Sequence, residues 1–119
     1  MKPYSLYYVN FPAGCNGEVY GITKLKPDGS YIVAIDAAQD EQTQAHALRH
    51  ELAHIYLKHL EPETAGKTIQ EVEREADEYA DKMTEKELEY LLSFCRKREV
   101  KPPAFMEEYE RKKVNAQPA

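Results

Sequence analysis

The chain predicts an α+β fold, with strands first and helices after them. Three observations carry this prediction. Aromatic and β-branched runs fill the first third of the sequence, and a Lys26-Pro27-Asp28-Gly29-Ser30 turn joins two of them. After Asp36 the apolar spacing changes from two residues to nearly four. The expected architecture is a small antiparallel three-stranded sheet followed by a long helix, a second helix facing it, and two C-terminal helices. At 119 residues this is one domain, 1–119, with one modest core.

Each element has its own signal. Tyr4 to Phe11 reads as the first strand, and Pro12 to Gly17 is loop by composition. Glu18 to Leu25 and Tyr31 to Asp36 form a hairpin, with Gly21 expected to mark a bulge. Gln39 to Leu60 is the long helix, ended by Glu61-Pro62. Its Leu48, Leu52 and Ile55 form a stripe for the sheet, while Ala47, His50 and His54 line another side. Thr68 to Met83 is the second helix, with Ile69, Val72, Ala76, Ala80 and Met83 as one buried stripe. The third opens at Thr84, where Thr-x-x-Glu with Glu87 fits a capping box, and runs to Glu99 with Leu88, Leu91, Leu92 and Cys95 inward. Lys101-Pro102-Pro103 breaks it; a last helix spans Ala104 to Val114, before a frayed tail, 115–119.

Composition narrows the function. A net charge of −5 argues against nucleic-acid binding, which needs a basic face. Cys15 and Cys95 lie far apart and outside any Cys-x-x-Cys spacing, so neither a disulfide framework nor a thiolate metal site is indicated. No run approaches the apolar length of a membrane span, and the first residues are too polar for a signal segment. The expected location is the cytoplasm.

The chemistry concentrates in His50-Glu51-Leu52-Ala53-His54. On a helix, residues four apart lie one above the other, so both imidazoles can reach one metal ion. Glu51 sits about 100° round the helix, placed to hold a water rather than the metal. Imidazole donors favour zinc over magnesium or calcium, which take oxygen ligands. Catalytic zinc sites add a third protein ligand and leave one position open. On a helix continuous to Leu60, His59 would stand about 180° from His50 and point away. His46 shares the face of the pair one turn earlier and is expected at the cleft rim. The third ligand is therefore sought on the second helix. Glu73 lies about 60° from the centre of its buried stripe, and Glu75 about 100°. Glu73 is the choice and Glu75 the runner-up. Asp77, one turn after Glu73, is placed to accept the free ring N–H of a liganding histidine.

With these residues in view, His50-Glu51-Leu52-Ala53-His54 followed by Glu73-Arg74-Glu75-Ala76-Asp77-Glu78-Tyr79-Ala80 resembles the gluzincin zinc peptidases. The small size, the preceding strand and the form Glu-x-Glu-Ala-Asp-x-Tyr-Ala are most similar to the ImmA/IrrE-type metallopeptidases of bacteria and phages. The resemblance covers about Gly17 to Met83. It implies a minimal zincin-like domain in which His50, His54 and Glu73 bind Zn2+, Glu51 is catalytic and Asp77 supports a ligand. It also implies a protein substrate such as a helix-turn-helix repressor or an antitoxin. Two departures stand out: family members commonly have glycine where Ala53 stands, and a Leu-Met-Pro where this chain has Asp81-Lys82-Met83-Thr84. The expected activity is zinc-dependent peptide hydrolysis. The alternative is a non-catalytic zinc-binding module that docks a partner. Tyr56, Tyr79 and His46 are the candidates for stabilising an oxyanion.

Overall fold

The first strand of the chain lies inside the sheet, not at its edge. The computed structural model describes residues 1–11 and 20–99. Within them β1 (Tyr4–Val9), β2 (Gly21–Leu25), β3 (Tyr31–Asp36) and β4 (Cys95–Glu99) form one sheet in the order β2-β3-β1-β4. The expected hairpin is present: β2 pairs antiparallel with β3, from Gly21 opposite Ile35 to Leu25 opposite Tyr31. Gly29 takes the positive φ that the turn requires. The expected three-stranded antiparallel sheet is not. β1 runs parallel to β3, Tyr4 opposite Tyr31, and parallel to β4 on its other side. The fold is α+β, with a four-stranded mixed sheet.

β4 replaces the second half of the expected third helix. α3 spans only Glu85–Leu92; the backbone then turns at Ser93, and Tyr4 N–H donates to Phe94 O at 3.2 Å, setting β4 beside β1. Cys95-Arg96-Lys97-Arg98-Glu99 has no apolar period to hold a helix, and the open edge of β1 offers backbone partners instead. Charged side chains suit such an edge strand, because they discourage further pairing. The expected helix Ala104 to Val114, the tail, the 12–17 loop and the start of the Glu18 arm lie outside the described residues.

The helices pack as their periodicity requires. α1 (Glu41–Tyr56) is capped by Asp40, whose carboxylate accepts from Thr43 N at 2.7 Å. Its Leu48, Leu52 and Ile55 join Tyr4, Leu6, Tyr31, Val33 and Ile35 in the main core. α2 (Ile69–Lys82) is capped by Thr68, and α3 by Thr84, which accepts from Glu87 N at 3.1 Å. Leu91 is buried in the core, with Leu88, Leu92 and Cys95 packed against it. On α2 the stripe is buried at Ala76, Ala80 and beyond it at Met83, but Ile69 is 80% exposed. Among the described residues no helix is long and apolar enough to cross a membrane.

Two joints fix α1 against the sheet. The buried Asp36 carboxylate accepts from Phe11 N, Ala38 N and Gln39 Nε2 at 3.0–3.3 Å, locking the β3–α1 turn to the end of β1. At the other end α1 stops a full turn before Leu60. Leu57 caps it, Lys58 adopts a left-handed backbone (φ 59°), and His59 N–H donates back to His54 O at 3.0 Å.

Candidate metal centre

α1 and α2 face each other and bring four predicted side chains together. His50 and His54 lie edge-on, ring centroids 4.6 Å apart, with their Nε2 atoms separated by 3.0 Å. The Glu73 carboxylate reaches across from α2, Oε2 at 2.9 Å from His50 Nε2 and Oε1 at 3.2 Å from His54 Nε2. Asp77 Oδ1 is 2.8 Å from His50 Nδ1, on the far side of that ring. A tetrahedral zinc held at its usual bond lengths needs donors about 3.3–3.4 Å apart. Separations of 2.9–3.2 Å therefore need only a slight opening to admit an ion.

Glu51 occupies a different setting. It is 7% exposed, against 51% for the side chain of Glu73. Its Oε1 accepts from Thr23 Oγ1 on β2 at 2.7 Å. Burial pushes its carboxyl above the usual carboxylate range; the Thr23 hydroxyl and His50 oppose that shift. One ligand atom each from His50, Glu51 and His54 lies within 4.8 Å of the others, a His/Glu/His group that could hold a metal ion. Burial, and then the neighbouring His50, lower His54 to about 4, so its ring is neutral near pH 7 with a lone pair to give.

Gly21 explains how a carboxylate fits there. The β2–β3 register runs through it unbroken, so the expected bulge is absent. A Cβ at this position would lie 2.8 Å from Glu51 Cγ. The glycine makes room for Glu51 between strand and helix.

His59 lies where the sequence did not put it. The left-handed turn at Lys58 folds it back, so that its Nδ1 is 2.9 Å from His54 Nδ1. Its Nε2 is 2.9 Å from Glu75 Oε1, and Lys67 Nζ donates to both oxygens of Glu75 at 2.6–2.9 Å. Glu75, the runner-up ligand, therefore engages His59 and Lys67 instead of the Nε2 cluster. No glycine marks position 58, so nothing in the sequence flagged the reversal.

The cluster opens into a cleft of about 890 Å3, walled by Gly21 and Thr23 of β2, by His46, and by Leu60, Ile69 and Val72. His46 sits at this rim, exposed, as expected. Tyr56 and Tyr79 instead pack edge-to-face on each other, 5.0 Å between centroids, and neither belongs to the cleft wall. Along β2, Asp36 N bonds Tyr20 O and Lys26 N bonds Ser30 O, so the even-numbered residues face β3. The N–H and C=O groups of Gly21, Thr23 and Leu25 therefore face the outer edge of β2. Set against known proteins, the chain matches no family model, no curated protein and no solved structure.

Proposed function

We propose that the chain is a zinc-dependent peptidase, with His50, His54 and Glu73 as zinc ligands and Glu51 as the general base. The observation that carries this reading is the convergence of two imidazole Nε2 atoms and a carboxylate, 2.9–3.2 Å apart, beside a separate, buried carboxylate in a cleft. The two nitrogen donors favour zinc over the oxygen-seeking cations. When bound, zinc supplies a Lewis acid that polarises a carbonyl and acidifies water.

The protein's own groups do the rest. Asp77 accepts the Nδ1 proton of His50, leaving its Nε2 lone pair free. Glu51, steadied by the Thr23 hydroxyl, takes a proton from the attacking water on its carboxylate and returns it to the leaving amine. Its burial raises its proton affinity, which suits a group that must carry a proton between two steps. An extended peptide adds to the outer edge of β2 through the backbone of Gly21 and Thr23. β3 offers no such edge, because it is paired on both sides by β2 and β1. The resemblance to ImmA/IrrE-type peptidases supports a regulatory protein, a repressor or antitoxin, as substrate.

The test is Glu51→Gln against wild type, by metal analysis and by cleavage of a quenched-fluorescent peptide library. Zinc stays bound in the variant while turnover falls by about 10²–10⁴. Turnover that survives the change rejects the peptidase. A wild type that binds zinc and cuts neither the library nor a co-purified partner is the non-catalytic module instead.

A further inference from the structure

The two histidines of the cluster are supported unequally. His50 has Asp77 directly on its Nδ1, with the Asp77 side chain largely in solvent. Among the described residues no carboxylate meets the Nδ1 of His54; the group there is the ring of His59, whose side chain is 2% exposed. Behind His59 stand Glu75 and Lys67, in contacts of 2.6–2.9 Å.

Only one arrangement of protons makes His54 a ligand. For its Nε2 to offer a lone pair, a neutral His54 carries its proton on Nδ1. That N–H points at His59 Nδ1, which must then accept, so the His59 proton sits on Nε2. The Nε2–H is aimed at Glu75 Oε1, and the Lys67 ammonium, bonded to both oxygens, keeps Glu75 a carboxylate able to accept it. Each ring N–H in the series meets an acceptor.

We propose that His59 is a positioning residue for the metal centre: together with Glu75 and Lys67 it holds His54 in the Nδ1–H form, with Nε2 turned to the ion. This rests on the metal-binding reading above. It adds a relay of two rings where His50 uses one carboxylate, and it gives the segment after α1 a task in binding. The left-handed turn at Lys58 is what makes it possible, because a helix continued to Leu60 would carry His59 to the opposite face.

The test measures zinc affinity of the full chain by competition with a chromogenic chelator, for wild type, His59→Leu, His59→Asn and Glu75→Ala. His59→Leu fills the space without an acceptor and weakens zinc by about 10–100-fold. His59→Asn, whose side-chain oxygen stands near the lost Nδ1, recovers most of that affinity. Glu75→Ala, at a partly exposed site that tolerates truncation, weakens zinc in the same direction. A folded His59→Leu that binds like wild type overturns the proposal, as does an Asn variant no better than the Leu one. A second readout needs no variant. In 15N-histidine protein, with and without zinc, a coupling across the hydrogen bond links His54 Nδ1 to His59 Nδ1, and His59 is protonated on Nε2. Absence of that coupling, or His59 protonated on Nδ1, overturns the relay. A wild type that refuses zinc counts against the metal reading alone, since the coupling in the metal-free protein still decides the role of His59.

Discussion

A single missing methyl group governs the geometry around Glu51. Gly21→Ala would put Cβ 2.8 Å from Glu51 Cγ, and Glu51, being buried, has little room to retreat. A shift of even 1 Å in a reacting group can cost about 10²-fold in rate. The expected outcome for Gly21→Ala is a comparable fall in kcat with zinc content unchanged, since neither His50, His54 nor Glu73 is touched. Equal kcat would show that the close approach is irrelevant. A second residue sets a pH dependence. Glu61 is buried and accepts from Lys2 Nζ at 2.6 Å and from Tyr31 OH at 3.0 Å; Lys2 above all holds its carboxyl below the ordinary value of 4.5. A depressed native pKa stabilises the fold above the unfolded value and loses that contribution as pH falls through the native one. The difference in melting temperature between wild type and Glu61→Gln is therefore constant above pH 4.5 and closes below it. A gap that widens on acidification would refute this assignment.

Between elements, the end of α1 matters most. A lysine in the left-handed region costs about 1–2 kcal/mol, and glycine there returns about 0.5–1 kcal/mol of that as extra chain entropy on unfolding. Lys58→Gly should raise stability by about 0.5–1 kcal/mol, seen as a higher urea midpoint with the same m value. A lower midpoint would mean that the Lys58 side chain contributes more than its backbone costs. This joint also shows where sequence reasoning stops. That His50 and His54 share a face, and that Glu73 and Asp77 come from the facing helix, follows from counting at 100° per residue. So does the hairpin, because Pro27 and Gly29 declare its turn. His59 escaped because the reversal at Lys58 has no residue type that announces it. Arg96-Lys97-Arg98 became a strand because a vacant edge of β1 was nearby, a fact of three dimensions. Ile69 obeys the α2 period, yet as the first residue of the helix it lies short of the core and lines the cleft.

At the scale of the whole molecule, the proposed ion would tie α1 to α2, helices joined through a loop and a short 3₁₀ turn, Pro62–Thr64. A ligand held only by the native state stabilises it by about 2.7 kcal/mol at a hundred times its Kd. Zinc at that excess should raise the melting temperature by about 10 °C for a domain of this size. Glu73→Ala should remove most of the rise, because the remaining ligands both sit on α1. A rise that survives Glu73→Ala would place the cross-link elsewhere.

The interior position of β1 has a consequence for how the protein is made. Synthesis delivers this strand first, but its two neighbours, β3 and β4, follow only after Tyr31 and Cys95 have emerged. Until β3 emerges both flanks of this strand are unsatisfied, and until β4 emerges one still is, a state prone to association between nascent chains. The sheet is therefore completed only with β4, and a ribosome-tethered chain that stops short of Cys95 should be cut by protease at β1 more readily than the full chain.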